Sequence, residues 1–326
     1  MKKILLATTM LAGTAGFASA EVAITGYAEM GIWSDTAGDL SFWNDIDVTF
    51  AMTSTTDGGL EFGATVDLDE AAGLVATSFN GTSVYISGAF GKLTMGDTDG
   101  AIDWAIEDSG TLTSLNDDHT SHIAQFSWDQ GLDGEGDGQI VRYENTFGAF
   151  SFAISAEQED DGAAGGADDI WGIGVKYAAD LGGTTLNLGL AYMTGNEDAK
   201  FLDGGGLNLA ALPALDDANV DVWAVSVGAE LAGGFSGMIG FEDFSYEAAA
   251  RNDYTFTSLG LNYTTGALSM NLNYGVMAPE VGADFDSWGA AVNYDLGGGA
   301  VVMVGYGSDM DGLGNDTWSA GLGMTF

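Results

Sequence analysis

From Leu268 to Tyr274 every second residue is apolar, and the residues between them are Ser or Asn. The same period of two runs through Leu60, Phe62, Ala64, Val66 and Leu68, with Glu61, Gly63, Thr65, Asp67 and Asp69 on the other face. It recurs at Ile46/Val48/Phe50/Met52, Trp171/Ile173/Val175/Tyr177 and Leu186/Leu188/Leu190/Tyr192. Successive side chains of a strand point to opposite faces, so this pattern reads as β-strands with one apolar and one polar side. Beyond Ala20 no apolar run approaches the ~20 residues of a membrane helix, although 46% of the chain is apolar. Fifty-one glycines also oppose helix throughout, each at up to about 1 kcal/mol relative to alanine.

Alternation alone also suits a soluble β-sandwich. Two details separate the readings. The polar faces carry Asp, Asn, Ser, Thr and small residues, as a wet lumen requires. The apolar faces are banded, with aliphatics in the middle and aromatics at the ends, as in Trp171 with Tyr177, Trp288 with Tyr294 and Trp318 with Phe326. Aromatic girdles around an apolar belt mark a transmembrane barrel. Closure is also one of two ways for a backbone to satisfy its hydrogen bonds in lipid.

Sixteen such segments are expected, near 22–33, 42–54, 60–70, 82–88, 92–97, 139–147, 149–157, 170–178, 184–193, 220–231, 234–244, 254–264, 267–277, 286–295, 299–308 and 317–326. Short turns, such as Thr55–Gly59 and Asp180–Gly183, alternate with longer acidic connections. The expected fold is an all-β, 16-stranded antiparallel transmembrane β-barrel with both termini on the periplasmic side.

The two ends fit that reading. Lys2 and Lys3, an apolar stretch from Ile4 to Phe17, and Ala18-Ser19-Ala20 form a secretory signal with a small-x-small cleavage site. Residues 1–20 are thus expected to be removed and 21–326 to form one barrel domain. No linker interrupts it: the prolines are Pro213 and Pro279, and no cysteine supplies a disulfide framework. The final strand places Trp318, Ala320, Leu322, Met324 and Phe326 on one face, which we read as an outer-membrane assembly signal.

Ser54–Asp67 (Ser-Thr-Thr-Asp-Gly-Gly-Leu-Glu-Phe-Gly-Ala-Thr-Val-Asp) and Ser87–Asp97 (Ser-Gly-Ala-Phe-Gly-Lys-Leu-Thr-Met-Gly-Asp) resemble the Gram-negative general porins, nearest the alphaproteobacterial type. Val141-Arg142-Tyr143-Glu144-Asn145 and Tyr294-Asp295-Leu296-Gly297-Gly298-Gly299 fit as well. The resemblance spans Met1 to Phe326, and Ser87–Asp97 is its most specific part. It implies a homotrimer in the outer membrane, with the third outer loop folded inward to narrow a diffusion pore.

The longest connection, 98–138, is that loop by length alone. Its stretch from Ala101 to Leu112 reads as a short helix. In the family this loop supplies an acidic wall, which here means Asp99, Asp103, Glu107 and Asp108 at the constriction. The family sets a basic cluster opposite. This chain departs from that: after Ala20 its basic residues are Lys92, Arg142, Lys176, Lys200 and Arg251. Lys200 and Arg251 are expected in outer loops and Lys92 and Lys176 near the periplasmic rim, leaving Arg142 as the mid-barrel cation. The expected pore wall is Glu29, Asp45, Asp47, Asp67, Arg142 and Glu144, beside Glu61 and Asp69. A pore lined by one sign of charge attracts the opposite ion, so cation preference is expected.

Other chemistry is weakly represented. Asp133, Glu135 and Asp137 form a candidate calcium site, since calcium takes clustered loop oxygens. The segment after Gln139 reads as strand, which excludes an EF-hand. No cofactor is required. Acidic outer loops, with Asp309, Asp311 and Asp316, are candidates for divalent cations bridging to lipopolysaccharide. His119 and His122 stand in the long loop, with no Gly-x-Ser-x-Gly elbow and no thiol, so no enzyme is expected. The net charge of −41 lacks the basic footprint that nucleic acid needs.

The sequence therefore reads as an outer-membrane channel for passive diffusion of small hydrophilic solutes and ions. A substrate-specific channel is the main alternative, with Trp104, Phe126 and Trp128 as its sparse aromatic path. A lipase-like barrel enzyme and a plugged structural barrel stand behind it. Mass spectrometry of the protein extracted from outer membranes is expected to find Glu21 at the N-terminus; retention of Met1–Ala20 would refute the cleavage.

Overall fold

The computed structural model describes residues 21–34, 37–69, 81–115, 132, 139–158, 169–197, 218–247, 252–308 and 314–326. The strands are β1 (Glu21–Ser34), β2 (Leu40–Thr55), β3 (Glu61–Asp69), β4 (Thr82–Gly88), β5 (Gly91–Gly96), β6 (Ile140–Phe147), β7 (Phe150–Glu157) and β8 (Ile170–Asp180). They continue as β9 (Thr185–Glu197), β10 (Ala218–Glu230), β11 (Phe235–Tyr246), β12 (Tyr254–Thr265), β13 (Leu268–Pro279), β14 (Phe285–Gly297), β15 (Ala300–Ser308) and β16 (Thr317–Thr325). Each strand pairs antiparallel with its sequence neighbours, and β1 pairs with β16, so the sheet is a closed barrel as the dyad pattern predicts. The seam is sealed at the short-turn end by Phe326, whose N–H donates to the Gly26 carbonyl at 2.8 Å while the Gly26 N–H donates back at 3.3 Å.

The pairing register fixes which residues share a face. Gly31 of β1 lies against Leu115 of the segment inserted in the lumen, so Glu29, Tyr27 and Trp33 face inward with it. Their partners Trp43, Asp45 and Asp47 on β2 do the same. The parity holds around the ring, through Thr94↔Arg142, Arg142↔Ser155, Ser155↔Gly172 and Lys176↔Gly189. The opposite parity carries exposed aliphatics such as Ile24, Val84, Leu190, Ile239 and Val304.

Aromatic pairs close that apolar band at both edges. Tyr192–Trp223 and Trp288–Tyr306 stand toward the long loops, with ring centroids 4.6 and 5.0 Å apart. Phe150–Tyr177 and Phe235–Tyr263 stand toward the short turns, at 4.7 and 4.2 Å. From Trp171 to Tyr177, and again from Trp288 to Tyr294, the step between girdles is six residues. At ~3.3 Å per residue this is about 20 Å along the strand, on the scale of the ~25 Å apolar belt of membrane barrels.

The helix is shorter than the sequence suggests. It forms only α1 (Ala101–Ala105), and Ile106 is already extended. Beyond it the backbone is drawn out by hydrogen bonds to the barrel wall, which compete with helical ones.

Leu190 sits mid-belt on the lipid face. Leu190→Arg is expected to destabilise the folded barrel by about 2–4 kcal/mol, read from equilibrium refolding into bilayers. A loss near zero would place this face against something other than lipid.

Candidate functional site

The lumen is shaped by residues 97–115, which leave β5 and run along the inner wall. The path can be followed contact by contact. The Ala101 N–H donates to Ser155 Oγ on β7 at 2.8 Å, and the Glu107 N–H donates to Ser226 Oγ on β10 at 3.1 Å. Asn271 Nδ2 on β13 donates to the Ser109 carbonyl at 3.1 Å, and Thr111 Oγ1 donates to Asn262 Oδ1 on β12 at 2.7 Å. Asn293 Nδ2 on β14 donates to the Thr113 carbonyl at 3.1 Å. Leu115 ends the traverse against Gly31 of β1 and Gly321 of β16. The segment therefore hugs the wall from β7 round to β1 rather than crossing the pore.

Glycine makes the approach possible. A Cβ at Gly174 would lie 2.2 Å from the Ala101 carbonyl oxygen, one at Gly189 2.3 Å from that of Ala105, and one at Gly260 2.5 Å from that of Ser109. These are lumen-facing positions with no side chain because loop backbone occupies the space.

Above this track the lumen wall is apolar on its inner face too, which differs from the expected polar lining. Met193, Val220, Val222, Phe244, Phe256 and Met277 point inward from β9–β13 and pack with Ile102, Ile106 and Leu132 of the loop. The loop covers these inward apolar residues, while Thr194, Asp221, Asp243 and Ser245 face outward beside Tyr192 and Trp223. At ~25 cal/mol per Å² of buried apolar surface, this contact adds to the hydrogen bonds in holding the loop.

The acids expected at the constriction are placed by this docking. The Asp99 carboxylate is exposed, whereas Asp103, Glu107 and Asp108 are half-buried. Glu107 fills the space over Gly228. Burial pushes its carboxyl above the ordinary range; a hydrogen bond with Asn187 opposes this, Glu230 adds to it and Lys176 counters it. Asp103 and Asp108 act electrostatically on Glu242 of β11, which is 2% exposed and whose Oε1 has no hydrogen-bond partner among the described residues. Glu242 was not anticipated: Phe241-Glu242-Asp243-Phe244 breaks the alternation that exposes lumen positions.

The expected wall residues divide into two groups. Glu29 and Asp45 are nearly closed off, at 3% and 4% exposure. Glu29 accepts from Tyr27 Oη at 2.9 Å and from Trp43 Nε1 at 3.1 Å. Asp47 is half-buried and Asp67 exposed, the latter accepting from Thr49 Oγ1 at 3.1 Å. Across the lumen Arg142, 7% exposed, is held by three contacts. Its Nη1 donates to the Asp99 carbonyl and lies 3.5 Å from Asp99 Oδ2, and its Nε donates to Glu144 Oε2 at 3.1 Å.

One cation is misplaced by the sequence reading. Lys176 is not a rim residue: its Nζ lies 4.4 Å from the centroid of the Trp104 ring on α1. There it interacts with Arg142, Asp99, Glu144 and Glu107. The alternation Gly172/Gly174/Lys176 did put it on the lumen face; what it lacked was the depth of α1. Lys92 lies near the short turn, its Nζ 4.7 Å from the Tyr85 ring centroid. Asp133, Glu135, Asp137, His119, His122, Phe126, Trp128, Lys200, Arg251, Asp309 and Asp311 fall outside the described residues.

A sequence profile described as Gram-negative porin matches residues 7–312 of the chain. A porin of Rhodobacter capsulatus is 33% identical over 311 residues, covering 94% of this chain and 99% of that protein. Among solved structures, a porin refined at 1.8 Å superposes with a TM-score of 0.66 at 23% identity, covering 94% of this chain and all of the other. An engineered variant of Rh. blastica porin gives a TM-score of 0.63 at 16% identity over the same share.

Filling the glycine track tests how the loop is held. Gly189→Val is expected to push the segment off its wall, with hydrogen exchange at residues 101–115 rising at least tenfold while the strands stay protected. Unchanged protection would show that the track is not what seats the loop.

Proposed function

The chain belongs to the Gram-negative porin family, and we propose that it is a passive, cation-selective channel for small hydrophilic solutes and ions. Family and fold support an outer-membrane diffusion channel. The observation that carries the selectivity is the sign of the wall. β1, β2 and β3 contain no lysine or arginine, and their lumen faces present Asp47 and Asp67. On the other side Arg142 is already engaged by Asp99 and Glu144, and Lys176 is shared with Trp104 and Glu107.

A permeating cation therefore meets carboxylates with little competition, and an anion meets them with little shelter. At an effective dielectric near 20, unit charges 4 Å apart interact by about 4 kcal/mol, so a few lumen carboxylates suffice to bias ion traffic. The work is done by bore and wall charge, and the chain performs no bond chemistry in this reading. Assembly as a homotrimer in a lipopolysaccharide-containing leaflet completes it.

Single-channel recording of refolded protein under a KCl gradient is expected to give steady conductance with a reversal potential near that of potassium. Asp47→Asn with Asp67→Asn is expected to move it toward zero with conductance largely retained. A reversal potential near zero in the unaltered protein would leave a porin without this selectivity.

A further inference from the structure

Toward the long loops the outward face of β8–β10 changes character over successive cross-strand rows. Val175, Leu190 and Val225 form a wholly apolar row. The next row sets Tyr192 beside Trp223, and the one after it joins Trp171, Thr194 and Asp221. Each row lies two residues further along the strands, or about 7 Å. The surface therefore passes from a lipid-like to a water-like face within two steps.

At that boundary the outer wall is hollowed. Asp169, Trp171, Thr194, Asn219, Asp221 and Glu247 line a cavity of about 390 Å³, within the ~300–1,000 Å³ of small-ligand sites. Trp171 is 57% exposed, so its indole gives the cavity a broad apolar wall. The acceptors around it are already oriented. Tyr192 Oη donates to Asp221 Oδ1 at 2.6 Å, and Asn219 Nδ2 donates to Glu247 Oε2 at 3.0 Å. A carboxylate offers about four acceptor positions, so each retains capacity for a further donor.

An indole wall beside fixed acceptors suits a pyranose ring, whose C–H face packs on the aromatic plane while its hydroxyls donate at the edge. It does not suit a bare phosphate. Among the described residues the outward face of β8–β11 carries no lysine or arginine, since Lys176 faces the lumen.

We propose that this cavity binds a sugar ring of an outer-leaflet glycolipid, with Trp171 against the ring and Asp221 and Glu247 accepting from its hydroxyls. The acyl chains of the same molecule lie on Leu190, Val225 and their apolar neighbours, so one amphiphile matches both halves of the surface. The inference rests on the outer-membrane channel reading, which puts the long loops in the glycolipid leaflet, and it gives the lipid partner a site.

The test titrates processed full-length protein, refolded in detergent, with deep-rough lipopolysaccharide in the presence of EDTA, and follows binding by native mass spectrometry. Saturable binding is expected. Trp171→Leu is expected to raise the dissociation constant ~2- to 10-fold, the range of an aromatic contact, and Trp171→Phe to retain most of the affinity. Asn219→Ala, an exposed change outside the aromatic girdle, is expected to weaken binding by releasing Glu247 from its set position. The acyl-free core oligosaccharide is expected to bind more weakly with the same dependence on Trp171; without that dependence the contact belongs to acyl chains and sugar recognition is overturned. Binding abolished by EDTA belongs to a divalent-cation bridge and overturns the proposal, as does equal binding of phosphatidylglycerol. Binding indifferent to both Trp171 and Asn219 overturns it too. The KCl current of the same preparation in planar bilayers reports on the channel separately: its absence with Trp171-dependent binding intact overturns the channel reading and leaves the sugar site standing.

Discussion

Everything in this molecule depends on the pairing of β1 with β16. A sheet edge in lipid leaves a row of N–H and C=O groups without partners, each costing several kcal/mol. The seam removes that edge, and the terminal Phe326 extends the hydrogen bonding one step past the last strand. Once the ring is closed, inside and outside are fixed for every residue by parity alone. A one-residue slip anywhere would exchange the lipid face for the lumen face. The continuous register from Tyr27↔Thr325 around to Glu21↔Thr53 is therefore a single constraint.

Closure creates an interior too wide for wall side chains to fill, and the chain fills part of it with its own loop. The docking has three components of different physical kind. Glycines such as Gly174 and Gly189 remove side chains where backbone must pass. Ser155, Ser226, Asn271 and Asn293 supply hydrogen bonds to a segment that, after α1, has no regular partner of its own. The inward-facing apolar residues of β9–β13 give Ile102 and Ile106 something to bury against. The carboxylates are sorted by cover: Glu29, Asp45 and Glu242 are nearly inaccessible, while Asp67 and Asp99 are open to water.

The barrel was legible from the sequence because its signal is repeated in every strand, so errors of a residue or two at the ends leave the parity untouched. Residues such as Asp47, Asp67, Arg142 and Glu144 could be put on the inner face for that reason. Depth and cover were not legible. Nothing in Gly174 or Gly189 distinguishes a glycine that clears room for a loop from one that lines open water. Val220, Val222 and Phe244 stand between polar neighbours such as Asn219, Asp221, Asp243 and Ser245, so the alternation persists there but turns its apolar residues inward, and sequence alone cannot tell which face meets the loop. Lys176 was assigned correctly to a face and wrongly to a height, because its neighbour Trp104 is distant in sequence. The helix was overextended for the same reason: hydrogen bonds from Ser226 and Asn271 outweigh local propensity beyond Ala105.

The net charge of −41 invites the conclusion that the whole protein acts as an attractor of cations. Screening argues for a narrower view. At physiological ionic strength the Debye length is about 8 Å, so carboxylates on loops in bulk solvent are felt over little more than their own diameter. Those in a bore narrowed by a docked loop face low-dielectric walls and fewer mobile ions, and their fields reach further. In the proposed cation-selective channel Asp47, Asp67 and Asp99 thus weigh more in what passes than their number suggests. The same reasoning explains why so few cations change the picture so little: Arg142 and Lys176 lie among carboxylates and an indole, where their charge is answered within a few ångströms before it reaches the opposite wall.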